Sequence, residues 1–443
     1  MVLTPQVSDR DLGSKMNSAR TFLDELYRVA VAAAHPASCL LHRLPDPPSG
    51  RIIVLAAGKA AGSMTEIAER YYVDDLRLPS SRLIGTAVTR RGYARPTRMI
   101  RITEAGHPLP DNASLAAAEQ ALNLAASATA DDLVLVLLSG GASANWVAPA
   151  PGLSFAEKQA INLTLLKSGA AIGEINAVRK HLSRIKGGRL GRLAYPARVV
   201  TLAVSDVSGD DPAVIGSGPT VPDPTTLSDA RAVLARFGLN ASEAVGRALA
   251  DPANETPKPQ DPAFDRGAFR LITRPKEAFR AAEAAIRAQG YDYIFLGDRI
   301  EGEARDIAAV QARIARDMQA QGRSGVIVSG GELTVTIRGK GRGGPNQEYA
   351  LALAQELRAT PGIAAVAGDT DGTDGGSGSP DDPAGAFIDD TTLVRAQRLG
   401  LDPAAFLAEN DSTGFFERLG DLLQPGPTFT NVNDFRAILV GRH

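Results

Sequence analysis

The sequence predicts an α/β protein of two domains: a doubly wound, largely parallel sheet domain and a second, smaller α/β domain with a mixed sheet. Three observations carry this. The chain has 443 residues, beyond the size at which one hydrophobic core keeps growing. Ile52–Ala57, Leu133–Leu138 and Val199–Val204 are continuous apolar runs, as parallel strands covered on both faces require. Helical stretches at about Lys59–Tyr71, Asn112–Ala128 and Glu174–Lys186 alternate with those runs, the pattern of a doubly wound fold.

The first domain is expected over residues 1–255. Ala250–Gly267, rich in Pro and Asp and without periodicity, reads as a linker or surface crossing. A second α/β set should occupy 265–387. It opens on a strand at Phe269–Thr273, followed by a helix striped by Phe279, Ala282 and Ile286. A strand at Tyr291–Leu296 comes next, then a helix striped by Ile307, Val310, Ile314 and Met318. After the strand Val326–Ser329, Leu333–Ile337 alternates apolar residues with Thr, which suits a half-exposed antiparallel or edge strand. The tail ends in a short strand, so the segment from about 388 to 443 could return to the first sheet.

Hydrophobic residues make up 44% and charged residues 22%, which excludes a disordered chain. A net charge of −2 exerts no global pull on nucleic acid or an anionic membrane, so local basic loops must carry any anion binding. Cys39 is the only cysteine. That rules out an intrachain disulfide and fits a reducing compartment. With neither an apolar signal core nor a run of about 18 apolar residues, a cytoplasmic protein is expected. Oligomeric state is not set by the residues, and a homodimer stays open.

Ligands of open α/β sheets bind beyond the carboxyl ends of strands, and polar or glycine residues gather there in five places. Lys59 follows Gly58 at the end of the first apolar run, where a helix N-terminus beside a cation suits a carboxylate or phosphate. Ser139, Gly140 and Gly141 end the central run, and paired glycines let the backbone approach a ligand; the same triplet recurs at Ser329, Gly330 and Gly331. Arg179, Lys180, Arg184, Lys186 and Arg189 lie on one expected helix, with Arg179, Ser183 and Lys186 on a shared face. Asp206, with Asp210 and Asp211 close behind, offers hard oxygen donors of the kind Mg²⁺ takes. Asp369, Asp371 and Asp374 form a second acidic loop. His107, between Gly and Pro at a strand end, is an isolated imidazole.

Gly339, Gly341 and Gly344 match G-x-G-x-x-G formally, with Asp369 about 25 residues on. This is the case for a nicotinamide-dependent reductase. The preceding strand alternates, however, and the loop carries Lys340 and Arg342. Two cations suit a triphosphate or a doubly anionic transition state better.

Taken together, AAGKAAGSM, EAGHPLPDNAS, LLSGGASA, INAVRKHLSRIKGGRL, SDVSGDDPAVIGSGPT, VSGGELTVTIRGKGRGGPNQE, AGDTDGTDG and GPTFTNVND resemble the glycerate 2-kinases of the MOFRL type. Some members are labelled hydroxypyruvate reductases of tartrate degradation. The resemblance runs from about residue 20 to 443. It implies ATP-dependent, Mg²⁺-assisted phosphorylation of the D-glycerate 2-hydroxyl, in a cleft between two α/β domains. On this resemblance Lys59 looks like the family's cleft lysine, Ser139–Gly141 its Ser-Gly-Gly turn and Asp206 its acidic loop. Many relatives carry arginine just before Asn-Gln-Glu, where this chain has Pro345.

The site expected from these readings has Lys59, Asp206 and Arg342 as catalytic residues. Asp206 would orient or deprotonate the hydroxyl, or hold Mg²⁺ with Asp371. Ser139, Gly140, Gly141, Arg179 and Lys186 would bind substrate. Gly330, Gly331, Glu332, Lys340, Asn346 and Asp369 would line the nucleotide. Partners are thus glycerate and a nucleotide, with no nucleic acid and no membrane.

Overall fold

A computed structural model describes residues 9–207 and 209–441, with side chains from residue 18 onward. The chain divides into two units, one built from residues 36–274 and the other from the N-terminal segment to residue 35 together with 275–443.

The 36–274 unit holds a six-stranded parallel sheet of β1 (Ile52–Ala57), β2 (Leu83–Arg90), β3 (Arg101–Ala105), β4 (Leu133–Leu138), β5 (Arg198–Val204) and β6 (Ala268–Thr273). Their spatial order is β3-β2-β1-β4-β5-β6. Every residue of β1 and β4 is buried, because helices cover both faces, and this is why those runs do not alternate. Helices Ala61–Arg70 and Asn112–Ala126 fall where periodicity places them. The helix expected over 174–186 is Ile172–His181 instead. After His181 the chain leaves the helix, with Ser183 bridging to Pro149, and then turns through Gly187 and Gly188, both at positive φ.

At the amino ends of β1 and β4, Asp132 acts as a clamp. Its carboxylate accepts the Arg51 N–H at 2.6 Å, Arg51 Nη2 at 2.8 Å and the Thr129 N–H at 2.9 Å. Burial alone would raise this carboxyl, but the guanidinium and the backbone donors hold it well below the usual carboxylate range. Asp132→Ala should therefore cost about 2–3 kcal/mol at neutral pH. A depressed folded-state pKa gives stability that is fully present above the unfolded value of about 4 and lost as pH falls on through the folded value, which lies well below it. The gap between the urea midpoints of wild type and variant should thus narrow steadily as pH falls below about 4; a gap as wide at pH 2 as at pH 7 would refute this role.

In the 275–443 unit, strands β7 (Asp292–Glu303), β8 (Gly325–Thr334), β9 (Ile363–Asp369), β10 (Gly385–Ile388), β11 (Leu422–Leu423) and β12 (Asp434–Val440) lie in the order β11-β10-β9-β12-β8-β7. Only β7 and β8 pair in parallel; every other neighbour is antiparallel. The N-terminal helix Asp9–Ala34 belongs to this unit. Its Tyr27 hydroxyl donates to the Asp369 carbonyl at 2.7 Å, and its ring meets Phe435 edge-on.

Four expectations about organisation are corrected. Phe269–Thr273 closes the first sheet by pairing with β5 rather than opening the second. The C-terminal strand does not return to the first sheet: β12 runs through the middle of the second, between β8 and β9, and is buried along its whole length. The boundary lies at 274/275, not between 255 and 265. The stretch 250–267 is a surface crossing inside one unit, tied down where Glu255 accepts from the Leu227 N–H and pairs with His181 and Lys258. Finally, the alternating segment does not form a strand to Ile337, since β8 ends at Thr334.

Candidate functional site

In the strand order β3-β2-β1-β4-β5-β6 the chain leaves β1 toward one edge and β4 toward the other. The switch point between them opens a crevice at the carboxyl ends. Lys59 follows β1 there, and Ser139 to Gly141 follow β4. The Lys59 N–H donates to the Gly140 carbonyl at 2.8 Å, and the Ala60 N–H to Ser139 Oγ at 2.9 Å. Gly58 (φ 118°) and Gly141 (φ 85°) permit this approach. A Cβ on Gly141 would sit 3.0 Å from the His107 ring and 3.4 Å from Lys59 Cγ. The lysine, the Ser-Gly-Gly turn and His107 therefore converge on one spot, at the start of the helix Ala61–Arg70.

Beyond Gly141, the short helix Ala142–Asn145 carries Ser143. Its carbonyl accepts Lys186 Nζ at 2.8 Å, and its hydroxyl lies 2.8 Å from Ser217 Oγ. Lys186 reaches this place from a loop after the helix Ile172–His181, not from a helical face shared with Arg179. The expected basic stripe is thus dispersed. Lys180 pairs with Asp223 and Arg184 with Glu119, whereas Arg179 and Lys186 pair with no carboxylate among the described residues. Burial lowers the pKa of Lys186 well below the usual lysine range, and the charge of Arg179 adds to the effect.

Asp206 follows β5 and is partly buried. Its loop is not the crowd of three carboxylates expected from sequence. Asp210 lies 3.5 Å from Arg274, and Asp211 accepts the Ala213 N–H in its own turn. No group of three or more His, Cys, Asp or Glu among the described residues is placed to hold a metal ion.

In the other unit, the second Ser-Gly-Gly does not end a strand. Ser329, Gly330 and Gly331 lie inside β8, and a Cβ would collide with the Phe279 ring at Gly330 and with the Ile300 backbone at Gly331. Sheet packing alone therefore requires glycine at both positions. Gly339, Gly341 and Gly344 have a similar explanation. A side chain on them would strike Glu409, Asp411 and Asp374 respectively. Four of the loop's N–H groups are already engaged: those of Arg338 and Gly339 by Asn410 Oδ1, that of Gly341 by the Glu409 carbonyl and that of Arg342 by Asp411. A dinucleotide loop needs those donors open to pyrophosphate, so the fingerprint is accidental here. Arg342 forms an exposed ion pair with Glu417 at 2.7 Å, and Lys340 is exposed; neither cation is held at a preorganised site.

The helix Pro345–Leu357 opens onto a carboxylate of its own chain. Asp374 accepts the N–H groups of Asn346 (3.0 Å) and Gln347 (2.8 Å) and both of their side-chain amides. The Asn346 amide also donates to Asp434 at 2.7 Å, and Asp434 takes Arg436 at 2.7 Å. Burial, with Asp434 nearby, pushes the Asp374 carboxyl up to about 7 against those donors. Asn346 is therefore committed to this network and presents only its carbonyl oxygen, which has no partner among the described residues. Glu332 is exposed on β8, Asp369 ends β9, and Asp371 is buried, accepting the Thr373 N–H and hydroxyl.

Comparison with known proteins adds the following. Residues 22–250 match a domain of unknown function (DUF4147), and residues 325–434 match the MOFRL family. A protein of Agrobacterium vitis with a provisional hydroxypyruvate reductase name is 46% identical over 96% of this chain and 95% of its own. The D-glycerate 2-kinase of Thermotoga maritima is 37% identical, covering 93% of this chain and 95% of its own. The crystal structure of a Thermotoga maritima glycerate kinase superposes with TM-score 0.82 at 36% identity, over 96% of this chain and all of that one. The chain belongs to the MOFRL-type glycerate kinase family.

In this member of the glycerate kinase family, Pro345 occupies the first position of its helix, behind Gly344. Proline is at home there, since the missing N–H would have no helical acceptor. Three participants went unread in the sequence: Ser143, Asp434 and Lys158. Lys158 did leave a signal, because with Ile161 and Leu165 it makes up the buried face of the helix Phe155–Lys167. A lysine on an apolar stripe at helical spacing is out of place unless something holds it.

Proposed function

We propose that this protein transfers the γ-phosphoryl group of ATP to the 2-hydroxyl of D-glycerate, giving 2-phosphoglycerate. The observation that carries the reading is the meeting of Lys59, Ser139–Gly141 and His107 at the switch point of the parallel sheet. Phosphoryl transfer asks a protein mainly for positioning and for charge placed where the transition state needs it. The glycerate hydroxyl attacks phosphorus, the bond to the β-phosphate oxygen breaks, and the hydroxyl proton leaves to a nearby base. Asp206, one strand along the same carboxyl edge, serves as that base or orients the hydroxyl. Lys59 offsets charge on the transferred group, and Arg179 and Lys186 hold the substrate carboxylate. The residues expected on the nucleotide side, Glu332, Lys340, Asn346 and Asp369, belong to the 275–443 unit.

Mg²⁺ suits a site with few carboxylates, because it takes one or two of them and otherwise stays on substrate phosphates. Asp206 or Asp371 would supply such a ligand. When bound, the ion neutralises charge on the β- and γ-phosphate oxygens.

The reductase reading draws on the name of the Agrobacterium vitis relatives and on a strand order shared with dinucleotide-binding folds. Against it, the first βα turn carries Gly58-Lys59 rather than a triple-glycine fingerprint, and the later glycine loop has its donors engaged. A coupled assay separates the two: ADP should form only with D-glycerate, ATP and a divalent cation, and hydroxypyruvate should not consume NADH. Robust NADH oxidation without ADP formation would overturn the kinase reading.

A further inference from the structure

Three cations converge inside the 36–274 unit, and none of them pairs with an acid among the described residues. Lys158 and Lys186 are almost completely buried, 1% and 2% exposed. Lys158 Nζ donates to the Arg179 carbonyl at 2.8 Å, and Lys186 Nζ donates to the Ser143 carbonyl at 2.8 Å. Arg179 Nε is buried and has no hydrogen-bond partner among the described residues. Elsewhere in this unit the fold pairs its buried charges, as in Lys180 with Asp223 and Arg51 with Asp132. Two buried ammonium groups and a partly buried guanidinium within range of one another are costly to leave unbalanced.

The place of the cluster says what it could serve. Ser143 lies two residues past Gly141, and Gln159, beside Lys158, donates to the Pro110 carbonyl in the loop that carries His107. The three cations thus stand behind the switch-point crevice, on the elements that border it. We propose that Lys158, Arg179 and Lys186 form one oxyanion-binding subsite, with Lys158 a binding residue. A carboxylate suits it: with several lone pairs it can take donors from an ammonium and a guanidinium together. Burial depresses Lys158 well below the usual lysine range, and the charge of Arg179 adds to this; a bound anion would relieve that strain. Assigning the oxyanion to the carboxylate of the hydroxy acid rests on the kinase reading, whereas the subsite itself does not. The alternative source is a phosphoryl group, of product or nucleotide.

The test is calorimetric titration of the full-length protein without nucleotide, using D-glycerate, inorganic phosphate and uncharged glycerol. Wild type should bind glycerate and not glycerol. Lys158→Met, of similar shape and without charge, should weaken the anion by about tenfold or more, with the melting temperature unchanged or raised. In turnover it should raise KM for glycerate and leave KM for ATP within twofold. Should Lys158→Met fail to fold, Lys158→Arg keeps the charge and Lys186→Met probes the same pocket. Lys158-dependent binding of phosphate but not of glycerate would keep the subsite and remove the carboxylate assignment, independently of whether the enzyme is a kinase. Glycerate and phosphate affinities both within twofold of wild type in Lys158→Met, or no anion binding by wild type, would overturn the proposal.

Discussion

Replacing Lys59 by alanine should lower kcat/KM for glycerate phosphorylation by roughly 10²-fold or more, with the melting temperature unchanged. Lys59 is only partly buried, and its backbone N–H, not its side chain, makes the bond to Gly140 that joins the two strand ends. Alanine keeps that bond and removes the side chain beyond Cβ, the ammonium group with it. What is lost is a charge set in advance where negative charge gathers in the transition state, a contribution of about 3 kcal/mol in comparable sites. The measurement is steady-state kinetics beside a thermal melt. Turnover close to wild type would mean that Lys59 is a solvated turn lysine and that the switch point is not the reaction centre.

Asp374→Ala should destabilise the 275–443 unit by about 3–5 kcal/mol. The variant strips the acceptor from two helix-opening N–H groups and two side-chain amides in a fully buried place. Urea unfolding followed by circular dichroism would measure this; a loss under about 1 kcal/mol would show that the helix start is held by something else. The same carboxyl predicts a pH dependence. With its folded-state pKa pushed up to about 7 and an unfolded value of about 4, the native state binds the extra proton between those values. Its contribution to stability is therefore greatest below about pH 4 and declines as pH rises to 7. Asp374→Asn, which cannot titrate, should lack that slope.

Much of the candidate site was legible from local patterns. The buried runs of β1 and β4 and the glycines that follow them mark strand ends that ligands use, and Lys59 and Ser139–Gly141 duly meet there. The same motif misled at Ser329–Gly331, because a strand that continues through its glycines looks locally identical to one that stops. Only the crossing of Phe279 and β7 over the backbone distinguishes the two. In a similar way the 338–344 loop has the glycines of a phosphate cradle, yet those glycines make room for residues 409–411, and Asp374 caps the helix that follows. Nothing within the loop reveals that partners some 30 to 70 residues away have taken its donors.

The sequence by itself determined the α/β class, the buried parallel strands, the glycerate kinase family and the lysine and Ser-Gly-Gly turn at the switch point. Each is written in periodicity, in residue type at a strand end, or in ordered motifs. Tertiary structure alone decided that β6 closes the first sheet and that β12 runs through the middle of the second. It likewise decided that Asp210 is paired, that the Arg179–Lys186 helix breaks, and that Lys158 joins those two cations. The physical reason is common to all of these. An apolar pattern records how much of a segment is buried and on which face, but not against what; strand partners and charge partners are chosen over long sequence separations, by packing that no local window contains.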